Sequence, residues 1–227
     1  MAAANGCCSM IDGWIGTNAK LRGMVAIVTG ASSGLGLSIA QLLRASGTPV
    51  VGVARRSTAD VSGDAAKRET ALRAVEAAER LGAIDLLVNC AGIGLFGPAG
   101  SYDEQTIAAI IDANLIATIN FCELLFPRFK EHGGTIVNVL STAALIGKAN
   151  ESVYCAAKWG ARGYTESLKA EAKGTKARII AVAPGGMRTP FWPEPRPGFM
   201  DPDDVAATII DAISRPVDIS EIVITRR

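Results

Sequence analysis

Tyr154 and Lys158 stand four residues apart in the run Tyr154-Cys155-Ala156-Ala157-Lys158, and Ser141 lies thirteen residues before the tyrosine. On a helix, positions i and i+4 share one face, so the phenol and the ammonium are directed into the same space. A nearby cation favours the phenolate and lowers a tyrosine pKa from its ordinary value of about 10. A phenol tuned in that way exchanges a proton with a carbonyl oxygen near neutral pH. Ser141 ends the apolar run 135–140 and is placed to hydrogen-bond the same oxygen. A Tyr-x-x-x-Lys pair alone is ordinary helix surface, so its meaning depends on the elements that must hold it.

The first of those elements begins at residues 24–28, Met-Val-Ala-Ile-Val, and leads into Thr29-Gly30-Ala31-Ser32-Ser33-Gly34-Leu35-Gly36. A helical pattern follows (Leu35, Ile39, Leu42, Leu43) and ends near Gly47, before a second apolar run at 49–53. Strand, glycine turn, helix and strand make the first unit of a dinucleotide-binding fold. Gly30 permits the tight turn, Gly34 lets the backbone approach a pyrophosphate, and Gly36 lets the helix pack against the strand. Free N–H groups and the dipole at the helix start then hold phosphates. Glycine trios are common in turns; the placement of this one, after a strand and at a helix start, is what gives it meaning.

Strand and helix patterns alternate through the rest of the chain, which predicts a parallel sheet covered on both faces. Helices are expected over 64–81, 104–130 (broken near Pro127), 152–173 and 201–214, with strands at 84–89, 135–140, 177–183 and 222–224. A βαβ crossover needs about ten or more residues of helix. Between the second strand and Asp60-Val61 only a few residues are available, so that helix is expected to be shortened or missing and the third strand a stub. The end of the second strand reads Val53-Ala54-Arg55-Arg56. It lacks the acidic residue that holds an NAD ribose and offers two arginines that would grip a 2′-phosphate bidentately. NADP(H) is therefore expected over NAD(H); Asp60 would favour NAD if the short loop swung it toward the ribose.

With these pieces in order, the chain resembles the short-chain dehydrogenase/reductase family from about Gly23 to its C-terminus. The resemblance rests on Thr29-Gly-x-x-x-Gly-x-Gly36, Asn89-Cys90-Ala91-Gly92, Asn114, Ser141, Tyr154-x-x-x-Lys158, and Pro184-Gly185 with Thr189. It implies a three-layer, doubly wound Rossmann fold with a mostly parallel seven-stranded sheet. It implies catalytic roles for Asn114, Ser141, Tyr154 and Lys158. Tyr154 is the general acid or base and Ser141 orients the carbonyl. Lys158 holds the nicotinamide ribose and tunes the tyrosine, and Asn114, at an irregular point of a long helix, holds a relay water. Cofactor contacts are implied at Gly30, Ser32, Ser33, Gly34, Leu35 and Gly36, at Asn89, Ala91 and Gly92, and at Pro184, Gly185, Met187 and Thr189. Asp60-Val61 is expected to face the adenine, beside Arg55 and Arg56. Cys90 and Cys155 stand where the family often has asparagine and serine.

Composition agrees. The chain has 227 residues, 49% of them hydrophobic, and a net charge of +1, which gives no pull toward nucleic acid or an anionic membrane. No apolar run in the sequence approaches the roughly 20 residues that cross a bilayer. Five cysteines without metal-ligand spacing and a single histidine argue against a metal site and for free thiols in a reducing, cytoplasmic setting. Residues 1–22 are expected to be an extension with neither a secretory nor a transit signal, and 23–227 a single domain. His132 is expected to be a helix-terminal cation, Tyr164 helix packing and Trp159 a core or subunit contact. Phe191, Trp192 and Phe199, in the proline-rich stretch 189–202, read as a substrate lid. The family pairs its two long helices across a two-fold axis, implying a homodimer or homotetramer. Three functions fit: a carbonyl reductase or alcohol dehydrogenase acting on small molecules, a non-catalytic dinucleotide-binding regulator, and a nucleotide-sugar epimerase. The intact catalytic positions disfavour the second. The glycine spacing and the lack of an added substrate domain disfavour the third.

Overall fold

The computed structural model describes residues 21–192, 194 and 196–226. The strands are β1 (Val25–Thr29), β2 (Val50–Ala54), β3 (Val61–Ser62), β4 (Ile84–Asn89), β5 (Gly134–Val139), β6 (Ala177–Pro184) and β7 (Glu221–Ile224). The helices are α1 (Gly34–Ala45), α2 (Arg68–Glu79), α3 (Glu104–Ile111), α4 (Ala117–His132), α5 (Ser152–Ala172) and α6 (Pro202–Ser214). One sheet contains all seven strands in the order β3-β2-β1-β4-β5-β6-β7. Every neighbouring pair is parallel, so the sheet is wholly rather than mostly parallel.

Alternation along β1 explains its unbroken apolar run. Val25 and Ile27 point into one core with Ala71 and Ala74 of α2 and Phe121, Leu125 and Phe129 of α4. Ala26 and Val28 point into the other, with Leu35, Ile39 and Leu43 of α1 and Val205, Ile209 and Ile213 of α6. A strand buried on both faces has no polar side to show. Leu21 is also buried in the second core, and its carbonyl accepts from Thr48 Oγ1 at 2.8 Å. The domain therefore starts no later than Leu21, two residues before the expected boundary. The rest of the expected extension, with Cys7, Cys8 and Trp14, lies outside the described residues.

Two helix expectations are corrected. The helix expected from 64 begins at Arg68, because Asp64 instead accepts the Ala66 N–H at 3.0 Å and closes a turn. The long helix does not break at Pro127: α4 runs through it to His132. Pro127 and Glu123, whose carbonyl loses its partner, both face solvent, while Phe126 and Phe129 anchor the turn. The irregularity lies upstream, where Asp112–Ile116 forms a wide π-helical turn between α3 and α4. Asn114 supports it by donating through Nδ2 to the Ile110 carbonyl at 2.9 Å, one turn back. Taken together, Glu104–His132 is long and apolar enough to cross a membrane by length and composition, unlike the runs read from sequence. In the fold its apolar side is core, with Phe121 and Leu125 fully buried.

The sheet edge at β3 is rebuilt as expected: β3 is a two-residue stub and no helix separates it from β2. Val53 and Ala54 pair with Val61 and Ser62, which leaves the Gly52 N–H on that edge without a strand partner. Asp60 Oδ2 accepts it at 2.7 Å and also accepts from Arg44 at 2.6 Å. Both side chains of the ion pair are about half exposed, so the carboxylate's bond to the backbone carries most of its value. Asp60→Ala should lower stability by about 1–2 kcal/mol in urea unfolding, through the orphaned Gly52 N–H. Arg44→Ala should cost less than about 1 kcal/mol.

Candidate active site

The strand order reverses between β1 and β4, and the carboxyl ends of the strands open there into a cleft of about 820 Å³. Thr29 Oγ1 fixes the two strand ends together by accepting the N–H groups of Cys90 and Ala91, each at 3.0 Å. The chain then turns through Gly30, whose φ of +71° suits glycine. A side-chain carbon at Gly36 would collide with the Gly30 carbonyl, so the start of α1 presses against the end of β1 only because both residues are glycines. Ser33 caps α1 without a side-chain hydrogen bond, which leaves first-turn N–H groups facing the cleft for an anion.

Tyr154 and Lys158 lie one turn apart on α5, both buried, with Lys158 Nζ 5.9 Å from the tyrosine ring centroid. Nζ donates to the Val139 carbonyl at 3.1 Å. Ser141 follows β5, and its hydroxyl accepts the Ala143 N–H at 3.1 Å, which holds the residue at the start of the turn Thr142–Ala144. Asn114 donates to the carbonyls of Ile93 and Ile110, both at 2.9 Å, and its Oδ1 is buried with no partner among the described residues. Asn114 and Lys158 converge on Gly92: a side-chain carbon there would sit 2.6 Å from Asn114 Oδ1 and 3.8 Å from Lys158 Nζ.

The electrostatics differ from the local reading. Burial raises the Tyr154 phenol well above its ordinary value; a Ser141 hydrogen bond opposes this, and Glu151 adds to it. The Lys158 ammonium is itself desolvated and its pKa is pushed down to about 8, and the net shift of the phenol is upward. The Cys90 thiol beside it is pushed up to about 12 by burial. In the protein alone Tyr154 is therefore a protonated donor across the physiological range, and the expected lowering by Lys158 is absent.

The cleft gathers Ser32, Ser33, Gly34, Leu35, Arg55, Arg56, Ala91, Gly92, Pro184, Gly185 and Met187 with Asn114, Ser141, Tyr154 and Lys158. Thr189 closes over the glycine turn, its Cγ2 3.0 Å from where a side-chain carbon on Gly34 would lie. Asp60, Val61 and Asn89 do not line it. Asp60 is turned to Gly52 and Arg44. Val61 is buried in the core. Asn89 donates to Asn138 Oδ1 of the adjoining β5 at 2.9 Å, in the middle of the sheet. Asp64 and Ala65 stand in the cleft instead. The sequence holds both Asp60-Val61 and Asp64-Ala65, and only the pairing of Val61 with Val53 decides which pair passes the strand end. Ile93, Gly94, Lys148 and Glu151 also line the cleft, and no local motif marks them.

Phe191 and Trp192 enter the cleft from the stretch expected to be a lid. The base of that loop is stapled: Arg188 N donates to Met200 O at 2.9 Å, Met200 N to Gly186 O at 3.1 Å, and Arg188 pairs with Asp201 at 2.6 Å. Of the remaining aromatic residues, Trp159 is exposed rather than core, and the Tyr164 hydroxyl donates to Glu123 at 2.7 Å. His132 ends α4 as expected.

Residues 24–198 match the family described as short chain dehydrogenase. Sepiapterin reductase from Chlorobaculum tepidum is 35% identical over 164 residues, 70% of this chain and 66% of that protein. A 3-ketoacyl-(acyl-carrier-protein) reductase from Brucella melitensis, solved with NADH, is 29% identical, superposes with a TM-score of 0.81, and shares 90% of this chain and 98% of its own. A short chain dehydrogenase from Burkholderia cenocepacia, solved with NADP, is 28% identical with a TM-score of 0.79 and 89% of both chains covered.

The buried lysine makes stability depend on pH. Below about pH 8 the folded protein bears the full desolvation cost of the Lys158 ammonium. Between about 8 and the ordinary value of 10.5 the folded state loses that proton while the unfolded chain keeps it, so stability rises with pH there. Lys158→Met should be more stable than the parent at pH 7, and its advantage should shrink from pH 8 to pH 10 in parallel urea titrations.

Proposed function

The chain belongs to the short-chain dehydrogenase family, and on that footing we propose that it is an NADP(H)-dependent oxidoreductase that interconverts a small carbonyl compound and its alcohol. The observation that carries this reading is the meeting of Tyr154, Ser141 and Lys158 with the glycine turn in one cleft. A dinucleotide fits the residues present: the Gly30–Gly36 contact clears the backbone, the α1 N-terminus offers N–H groups, and the volume of the cleft accommodates it. When bound, the nicotinamide supplies or accepts the hydride.

The protein's own part is position and proton. Ser141 donates a hydrogen bond to the carbonyl oxygen and fixes its direction. Tyr154, kept protonated by burial, donates its phenolic proton to that oxygen as the alkoxide forms. In the oxidising direction the same phenol, ionised, takes the proton back. Lys158 holds the nicotinamide ribose and stabilises the ionised phenol once Tyr154 has given up its proton. The buried Asn114 Oδ1, with no partner among the described residues, is placed to hold a water that passes protons toward Lys158. Thr189, against the glycine turn, is a hydrogen-bond donor for the nicotinamide end.

Kinship does not choose between NAD and NADP, since one solved relative carries each. Arg55 and Arg56 favour the phosphorylated cofactor: both line the cleft just past β2, exposed and without an acidic partner among the described residues. Asp60, the acid that would favour NAD, is committed to Gly52 and Arg44. We also place the protein in the cytoplasm as a homodimer or homotetramer, with Cys90, Cys122 and Cys155 as thiols.

Two measurements test this. Tyr154→Phe should lower kcat by about 10²- to 10⁴-fold and leave NADPH binding unchanged; full activity would end the mechanism. Arg55→Ala with Arg56→Ala should weaken NADPH binding about 10- to 100-fold and leave NADH binding as it was, read by quenching of tryptophan emission.

A further inference from the structure

A chain of aromatic rings starts at the catalytic tyrosine and runs into the lid. Phe96 meets Tyr154 edge-on, with centroids 5.5 Å apart and planes at 90°. Phe191 tilts against the same tyrosine ring at 5.7 Å. Trp192 stacks on Phe96 at 5.1 Å with planes 28° apart. Gly94 makes room for this packing: a side-chain carbon there would come within 2.5 Å of Phe191 and 2.6 Å of Phe96. Behind the Phe96–Trp192 pair lies a second cavity of about 470 Å³ that shares Glu151 and Trp192 with the main cleft. The charged side chains at this end are Lys148, Glu151 and Arg196, and Lys148 is held by Thr142 Oγ1 at 3.0 Å. The guanidinium of Arg196 is laid over the Trp192 ring at 4.8 Å.

The catalytic proton donor is thus flanked by π surfaces. Resting on the reductase reading above, we propose that Phe96, Phe191 and Trp192 form the specificity surface of the substrate site. It takes a ketone whose carbonyl carries a flat apolar group, of the aryl ketone class. A planar substituent entering between Phe96 and Phe191 exchanges ring–ring contacts for equivalent contacts with the substrate. A short aliphatic substituent leaves the rings without edge-to-face partners. Each such contact is worth about 2- to 10-fold in affinity.

The test compares acetophenone with 2-butanone in NADPH-dependent reduction by the full chain, and 1-phenylethanol with 2-butanol in calorimetric titrations of its NADPH complex, which need no turnover. The parent should prefer acetophenone by about 10-fold or more in kcat/KM, and bind 1-phenylethanol more tightly by a similar factor. Phe96→Leu with Phe191→Leu keeps apolar bulk but removes the π faces, and should bring both ratios to within about 3-fold of one. Its NADPH affinity, unchanged, shows an intact cleft; where it is lost, Trp192→Leu takes its place. Ketones reduced without preference, with both alcohols bound alike, would overturn the specificity surface and leave the reductase reading standing. No reduction of either ketone, with 1-phenylethanol bound tightly in the parent and weakly in the leucine variant, would overturn the reductase reading and uphold the surface. Preference that survives both leucine substitutions, or binding of neither alcohol, would also overturn the surface.

Discussion

A single hydroxyl ties the sheet at the point where its strand order reverses. Thr29 Oγ1, at the end of β1, accepts two consecutive N–H groups from the chain leaving β4. Those two strands diverge in their onward connections, one into the glycine turn and α1, the other into the loop 90–94. With the donors paired there, the loop stands at a fixed height over the sheet. Gly92 then comes between Asn114 and Lys158, and Gly94 comes under Phe96 and Phe191. The glycine turn, the Asn114–Lys158 pair and the aromatic cluster thus share one anchor, which gives two half-buried backbone donors a partner.

Burial sets the chemistry of the site as much as the choice of residues does. A lysine one turn from a tyrosine favours the phenolate when water and counter-charges are ignored. In the folded protein both groups are desolvated, and desolvation disfavours the charged form of each. The result is a neutral, protonated phenol next to a lysine whose proton is loosely held. That state suits proton donation to a developing alkoxide, where the negative charge appears on the substrate oxygen and returns to the phenol only after transfer.

The shortened edge shows how a lost element is replaced at low cost. Without a helix between β2 and β3, the β2 edge exposes backbone donors, the usual liability of a sheet margin. Asp60 takes the one that β3 is too short to reach, and Arg44 of α1 holds the carboxylate from the other core layer. The same economy removes Asp60 from the cleft, where Arg55, Arg56 and Asp64 remain.

Much of this was legible in the residues. Glycines that tolerate only backbone beside them, and runs apolar on both strand faces, are local demands that a linear pattern records. So β4 falls on the predicted residues, and the glycine turn and the Tyr154–Lys158 spacing sit where their patterns placed them. Three features depended on the fold. Strand pairing at Val53 and Val61 put Asp64, not Asp60, in the cleft, because register is a property of two segments and not of either. The helix passed Pro127, because solvent and core contacts outweigh local propensity. The pKa values followed burial, which exists only once distant segments have closed over a side chain. Local sequence determined which groups are present and which elements carry them; packing of segments far apart in the chain decided their charge and their neighbours.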